Sequence, residues 1–230
     1  MAGKPKRGDL ENNTSEEIDP AAANVAFVAG LVLAVADCND TLLFVFLSDF
    51  FLRKQVTQAT VGLIISLIAV GMLVMTPFMA WVVPKVGGPA RTLFLGAIAF
   101  TLVRFVTACL PFLGEGPLFI GSSSALMFTT GCIYAFTEVG GLAWVLAAAP
   151  PGQKAGAMAA LMAARSMGMI LGPPLGGILF DFIGFSWTCF SGALLFLVPL
   201  GMFMSTFTAP VEEKQDYPRS RRSRNREHRR

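Results

Sequence analysis

Gly168, Gly172 and Gly176 recur at four-residue intervals inside an apolar run, in the decapeptide GMILGPPLGG that also holds Pro173 and Pro174. On a helix this spacing stacks the three glycines on one face and lets a second backbone approach closely. In water a helix carrying that much glycine and proline would break, because the hydrogen bonds that proline removes have no replacement. Inside a bilayer, neighbouring helices re-satisfy the freed groups, so the pattern predicts a membrane bundle with a bend at the prolines. Composition points the same way: 54% of residues are hydrophobic and 14% charged, with a mean hydropathy of +0.61, which lies outside the soluble range. Cys38, Cys109, Cys132 and Cys189 all fall in or beside apolar runs. A thiol there acts as a small hydrophobe, so neither a disulfide nor a metal site is expected.

Six apolar stretches, at roughly 24–51, 58–83, 92–113, 117–148, 156–182 and 187–209, each supply the ~20 residues a membrane helix needs. The expected fold class is an all-α membrane protein with six transmembrane helices. The fourth stretch is overlong and carries Ser122-Ser123-Ser124 and Thr129-Thr130-Gly131, so a kink or a late start is expected there. Residues 1–23 are polar and mixed in charge; they are expected to form a disordered tail and contain no apolar core of a cleavable signal. Residues 210–230 form a basic tail ending RSRRSRNREHRR, suited to anionic lipid. With the N-terminus in the cytosol, the inner segments collect Lys4, Lys6, Arg7, Lys85, Arg91, Lys154, Lys214 and seven tail arginines, whereas the outer ones hold Arg53 and Lys54. Both termini are therefore expected to be cytoplasmic, in a plasma or vesicular membrane. That side rules out glycosylation at the Asn12 and Asn13 sequons.

A charge inside a membrane span is costly and is read as functional by default. Asp37 and Asp40 lie three residues apart on one face of the first helix, near the midplane where transporter substrates bind. Either can bind an ammonium group or a proton, and Asp40 is the preferred residue. Arg104 reaches a similar depth in the third helix and is expected to pair with one of them. Glu138 in the fourth helix and Arg165 in the fifth match in depth and are expected to form a second pair, with Glu138 alternatively a proton carrier. Asp181, at the outer end of the fifth helix, is expected to meet water. His228 has no companion ligands and is assigned no chemistry. No nucleophile-base pair, metal-ligand cluster or phosphate loop stands out. Neither an enzyme, a cofactor nor a nucleic-acid partner is expected.

The pattern G-x-x-x-G-P-x-x-G-G, carried by Gly168, Gly172, Pro173, Gly176 and Gly177, resembles the fifth-helix antiporter signature of proton-coupled drug antiporters in the major facilitator superfamily. Ala159 stands where that signature has a further glycine. The wider context, ILGPPLGGILFDFIGF followed by LLFLVPLGMF, is similar to the vesicular amine transporters and their polyamine-type relatives. Pro77 followed by Lys85-Val86-Gly87 resembles the family's loop between helices two and three, with Ala80 in place of a glycine and Pro84 in place of the acidic residue that serves the cytoplasmic gate. The family's arginine early in helix four has no counterpart here.

Over residues 24–209 the resemblance implies one six-helix half, a 3+3 repeat, of the superfamily fold. It also implies alternating access, with protons exchanged for an amine or amphipathic organic solute and Asp40 or Asp37 at the site. Because the family's cavity lies between two halves, the implied partners are the bilayer, protons, a small organic solute, and a second six-helix half or a second copy. The alternative expectation is a truncated or half-size membrane protein without transport activity of its own, which pairs with or regulates a full-length transporter.

Overall fold

The computed structural model describes residues 20–208. Of the tail expected over residues 1–23, the part to residue 19 lies outside them, with its two sequons, as does the 210–230 tail with the basic run and His228, while residues 20–23 belong to the first helix. The described residues form helices and no strand: α1 (Pro20–Arg53), α2 (Gln58–Val86), α3 (Pro89–Ala108), a 3-10 turn (Leu110–Phe112), α4 (Pro117–Ala148), α5 (Lys154–Leu195) and α6 (Leu197–Thr208). Local chemistry sets several of the ends. The Thr57 hydroxyl accepts the Thr60 amide at the start of α2, and Gly87 closes that helix with a left-handed φ of 100°. Pro89 and Pro117 open α3 and α4, where a missing N–H costs nothing. The late start expected in α4 is absent, since the helix begins at Pro117 and is assigned without a break to Ala148. Thr129 and Thr130 instead donate back to the carbonyls of Ala125 and Leu126, each at 2.8 Å, so their hydroxyls are satisfied within the helix.

Five helical segments are long and apolar enough to cross a membrane, the last being a 52-residue run from Lys154 to Ser205. In place of the expected loop near 183–186, helical hydrogen bonding resumes directly after a single residue, Gly184, whose φ of 75° and ψ of 177° are open to glycine alone. The neighbours on α1 reveal what this residue does. Before it, Ala164 meets Gly30, Gly168 meets Ala34, Gly172 meets Cys38 and Thr41, Gly176 meets Leu42, and Phe180 stacks on Phe46. After it, Phe185 packs on Phe50 and Phe46, and Gly192 lies against Asn39. The chain climbs α1 up to Gly184 and descends it afterwards.

Glycines line the close seams. A Cβ on Gly168 or Gly172 would overlap α1, and one on Gly176 would stand 2.6 Å from the Leu42 carbonyl oxygen. Gly71 of α2 and Gly131 of α4 leave no room for a Cβ either, each pressing on the other helix's backbone. These approaches give the packing that drives helix association where lipid is as apolar as the core.

Two apolar clusters fill the bundle. One surrounds the first half of α1, with Val28, Val32 and Leu33 against Leu93, Phe100, Val145 and Phe196. The other surrounds its second half, with Leu43, Phe46, Leu47 and Phe51 against Ile64, Ile68, Phe119 and Met127. Between them lies the level of Asp37 to Asp40.

Candidate functional site

At that level α1 contributes three buried polar residues in four positions: Asp37, Asn39 and Asp40, exposed by 2%, 2% and 7%. Asn39 turns its amide back to the Val35 carbonyl at 3.1 Å, which satisfies it locally. Each aspartate is met by a guanidinium from a different helix. Arg104 of α3 donates from Nη2 to Asp40 Oδ1 and lies over the Phe100 ring, 4.6 Å from its centroid. Its Nε and Nη1 are buried without an acceptor among the described residues.

Arg165 of α5 serves two carboxylates at once. Its Nε donates to Asp37 Oδ2 at 2.8 Å, and its Nη1 to Glu138 Oε1 on α4 at 2.6 Å. Its Nη2 reaches Asp37 Oδ1 and the Tyr134 hydroxyl, at 3.5 and 3.2 Å. Tyr134, also on α4, donates in turn to Asp37 Oδ1. One guanidinium thereby joins α1, α4 and α5.

The structure therefore places the five ionisable residues singled out in the sequence in one layer, as two connected groups. Arg104 takes Asp40. Arg165 takes Glu138, and also Asp37, a contact that matching depths alone do not predict. Sequence reasoning singles out neither Asn39 of the layer nor Tyr134. The tyrosine precedes Glu138 by one helical turn and so shares its face, a signal the spacing contains. Access differs within the layer: the side chains of Asp37 and Asp40 are 1% and 10% exposed, those of Arg165 and Glu138 11% and 23%. Asp181 is exposed.

The remaining predicted positions lie away from this layer's ion pairs. Gly168, Gly172 and Gly176 are buried on α1, whereas a Cβ on Gly177 would meet nothing. Pro173 and Pro174 lie within α5, and Pro77 within α2. Lys85 places its Nζ 3.3 Å from the centroid of the Trp81 ring.

On the N-terminal side of the charged residues, α1 and the start of α5 border an open space. A cavity of about 680 Å³ opens there, lined on α1 by Ala26, Phe27, Gly30 and Ala34 and on α5 by Ala160 and Ala164. Its walls are small and apolar, and its volume suits a compact organic molecule. A family model described as Major Facilitator Superfamily matches residues 29–228 of the chain. No curated protein matches it.

Proposed function

The chain belongs to the major facilitator superfamily, a family of integral membrane transporters, and we propose that it acts as a proton-coupled antiporter of an amine or amphipathic organic solute by alternating access. The observation that carries this reading is the charge count in the mid-bundle layer: three carboxylates, Asp37, Asp40 and Glu138, face two guanidiniums, Arg104 and Arg165. An uncompensated charge in apolar surroundings is costly, so the layer calls for one positive charge from outside, a proton or an ammonium group. Asp40 is committed to Arg104. The exchangeable part of the layer is then Asp37, Glu138 and Arg165, and the apolar cavity between α1 and α5 receives the body of the solute. The fifth-helix signature supports an assignment to the vesicular amine and drug antiporter group.

The same proposal includes six spans in a 3+3 arrangement. At ~1.5 Å per residue, the 52-residue run is far longer than the ~30 Å bilayer core, and its reversal at Gly184 divides it into two crossings. The glycine seam of α5 on α1 has its counterpart in the seam of α2 on α4, as inverted halves would require. Phe94, Phe100 and Phe105 of α3 meet Phe203, Phe196 and Phe190 in turn, which sets the last crossing antiparallel to α3. Both termini face the cytosol, from the Lys and Arg distribution. Cysteines added at either end of a cysteine-free version should resist a membrane-impermeant maleimide in intact cells. Labelling of either end from outside would overturn the orientation. A second six-helix half, or a second copy, completes the cavity.

The function is tested in proteoliposomes holding the chain alone or with candidate partner halves. An acid-inside pH gradient should drive uptake of a labelled organic amine, and collapse of the gradient should abolish it. Glu138→Gln should abolish gradient-driven uptake while leaving binding of the protein to the vesicles unchanged. Uptake that ignores the gradient would refute proton coupling.

A further inference from the structure

We infer that Tyr134 is a positioning residue that commits Asp37 to its paired, ionised state and so leaves Glu138 as the carboxylate that exchanges the proton. The inference rests on the proton-coupled reading above and names the residue that carries the proton. Asp37 accepts from Arg165 Nε at Oδ2, and from the Tyr134 hydroxyl and Arg165 Nη2 at Oδ1. Three of the carboxylate's roughly four acceptor sites are thereby filled, both of those on Oδ1, and the side chain is 1% exposed, so water has little access to the remaining site. Glu138 differs in both respects. Among the described residues only its Oε1 is engaged, by Arg165 Nη1, and its side chain is 23% exposed, which makes Oε2 the accessible proton acceptor of the layer.

The Tyr134 hydroxyl is used in both directions, donating to Asp37 and accepting from Arg165 Nη2 at 3.2 Å. That double use fixes how the guanidinium divides its donors between the two carboxylates. Two elements bring charged groups to this hydroxyl, Asp37 on α1 and Arg165 on α5, and Arg165 also holds Glu138, one turn along α4 from Tyr134. The Tyr134 ring meets the Phe100 ring of α3, with centroids 6.3 Å apart, and the Phe100 ring carries Arg104 above it. Arg104 in turn holds Asp40. When a hydronium ion gives its proton to Glu138 Oε2, the O–H bond of the hydronium breaks, water leaves, and the hydrogen bond from Arg165 Nη1 to Oε1 is kept. Two carboxylates then remain against two guanidiniums, and the layer is neutral. Release of the proton restores the excess negative charge that an ammonium group of the solute would answer.

Neutralising any one acid also balances the layer, so single Asp→Asn or Glu→Gln changes cannot identify the carrier. Isotopes can. The full chain is made by cell-free synthesis with carboxyl-¹³C glutamate or carboxyl-¹³C aspartate, reconstituted in lipid, and followed by pH-difference infrared spectroscopy. The buried carboxylic C=O band should shift with the glutamate label and stay unmoved with the aspartate label. In Tyr134→Phe, part of the band should become sensitive to the aspartate label. Tyr134 and Tyr217 are the two tyrosines of the chain, so fluorotyrosine in a Tyr217→Phe background perturbs the one hydroxyl with little change of shape. It should move the titration midpoint of the band. A wild-type band that follows aspartate would overturn the assignment to Glu138. A band that stays wholly glutamate in Tyr134→Phe, together with an unmoved midpoint in the fluorotyrosine protein, would overturn the positioning role. Absence of any buried titrating carboxyl band would overturn the proton-coupled reading itself, an outcome distinct from the other two.

Discussion

Asp40→Asn is expected to lower the detergent melting temperature sharply and to reduce the yield of folded protein. The reason is Arg104, which is 1% exposed and has Asp40 as its one carboxylate partner among the described residues. Its Nε and Nη1 already lack acceptors among the described residues, so loss of the Asp40 charge leaves a buried guanidinium held by little more than the face of Phe100. Breaking a buried pair from one side costs about 3–5 kcal/mol, whereas replacing both partners is often close to neutral. Asp40→Asn with Arg104→Gln should therefore recover most of the lost stability. Because Asp40 is assigned a structural part here, the double variant should also recover gradient-driven uptake. Recovery of folding without uptake would return Asp40 to the coupling site, and a single variant that melts like the parent would show that the pair supports little.

That assignment reverses the preference drawn from the sequence, which favours Asp40 over Asp37, and the reason is geometric. Depth along a span follows from residue number and helix direction at ~1.5 Å per residue, so the levels of Arg104, Glu138 and Arg165 are legible in the amino-acid order alone. Rotation about the helix axis is not. Asp37 and Asp40 differ by one turn in depth but face different neighbours, and α3 and α5 approach α1 from directions that no local pattern records. The four-residue glycine stripe announces a close approach but not its partner, which is α1. Its analogue at Gly71 and Gly131 carries no such signal, because one glycine on each helix makes no stripe. At Gly184 the sequence suggests a break and the structure has one, but it takes a single residue with positive φ where a loop of several is expected.

Arg165→Gln is expected to have the larger effect, because this guanidinium serves two carboxylates on two other helices. Without it, Asp37 keeps one donor, the Tyr134 hydroxyl, in a position 2% exposed, and Glu138 keeps none. Two like charges then share one apolar layer with no cation within reach, since Arg104 is held by Asp40. An uncompensated buried charge costs about 3–5 kcal/mol, and here the loss also separates the three helices that the side chain joins. The variant should fail to give a monodisperse peak by size-exclusion chromatography in mild detergent, where Asp40→Asn gives a reduced one. A single compensating change should help only partly, because either Asp37→Asn or Glu138→Gln leaves one charge behind. Glu138→Gln should help less than Asp37→Asn, since Glu138 is partly exposed and can reach water. The triple variant Asp37→Asn, Glu138→Gln, Arg165→Gln should approach the parent's melting temperature and show no pH-driven uptake. If Arg165→Gln melts within a degree or two of the parent, Arg165 does not pin the three helices together. The charge layer would then have to be held by the glycine seams alone.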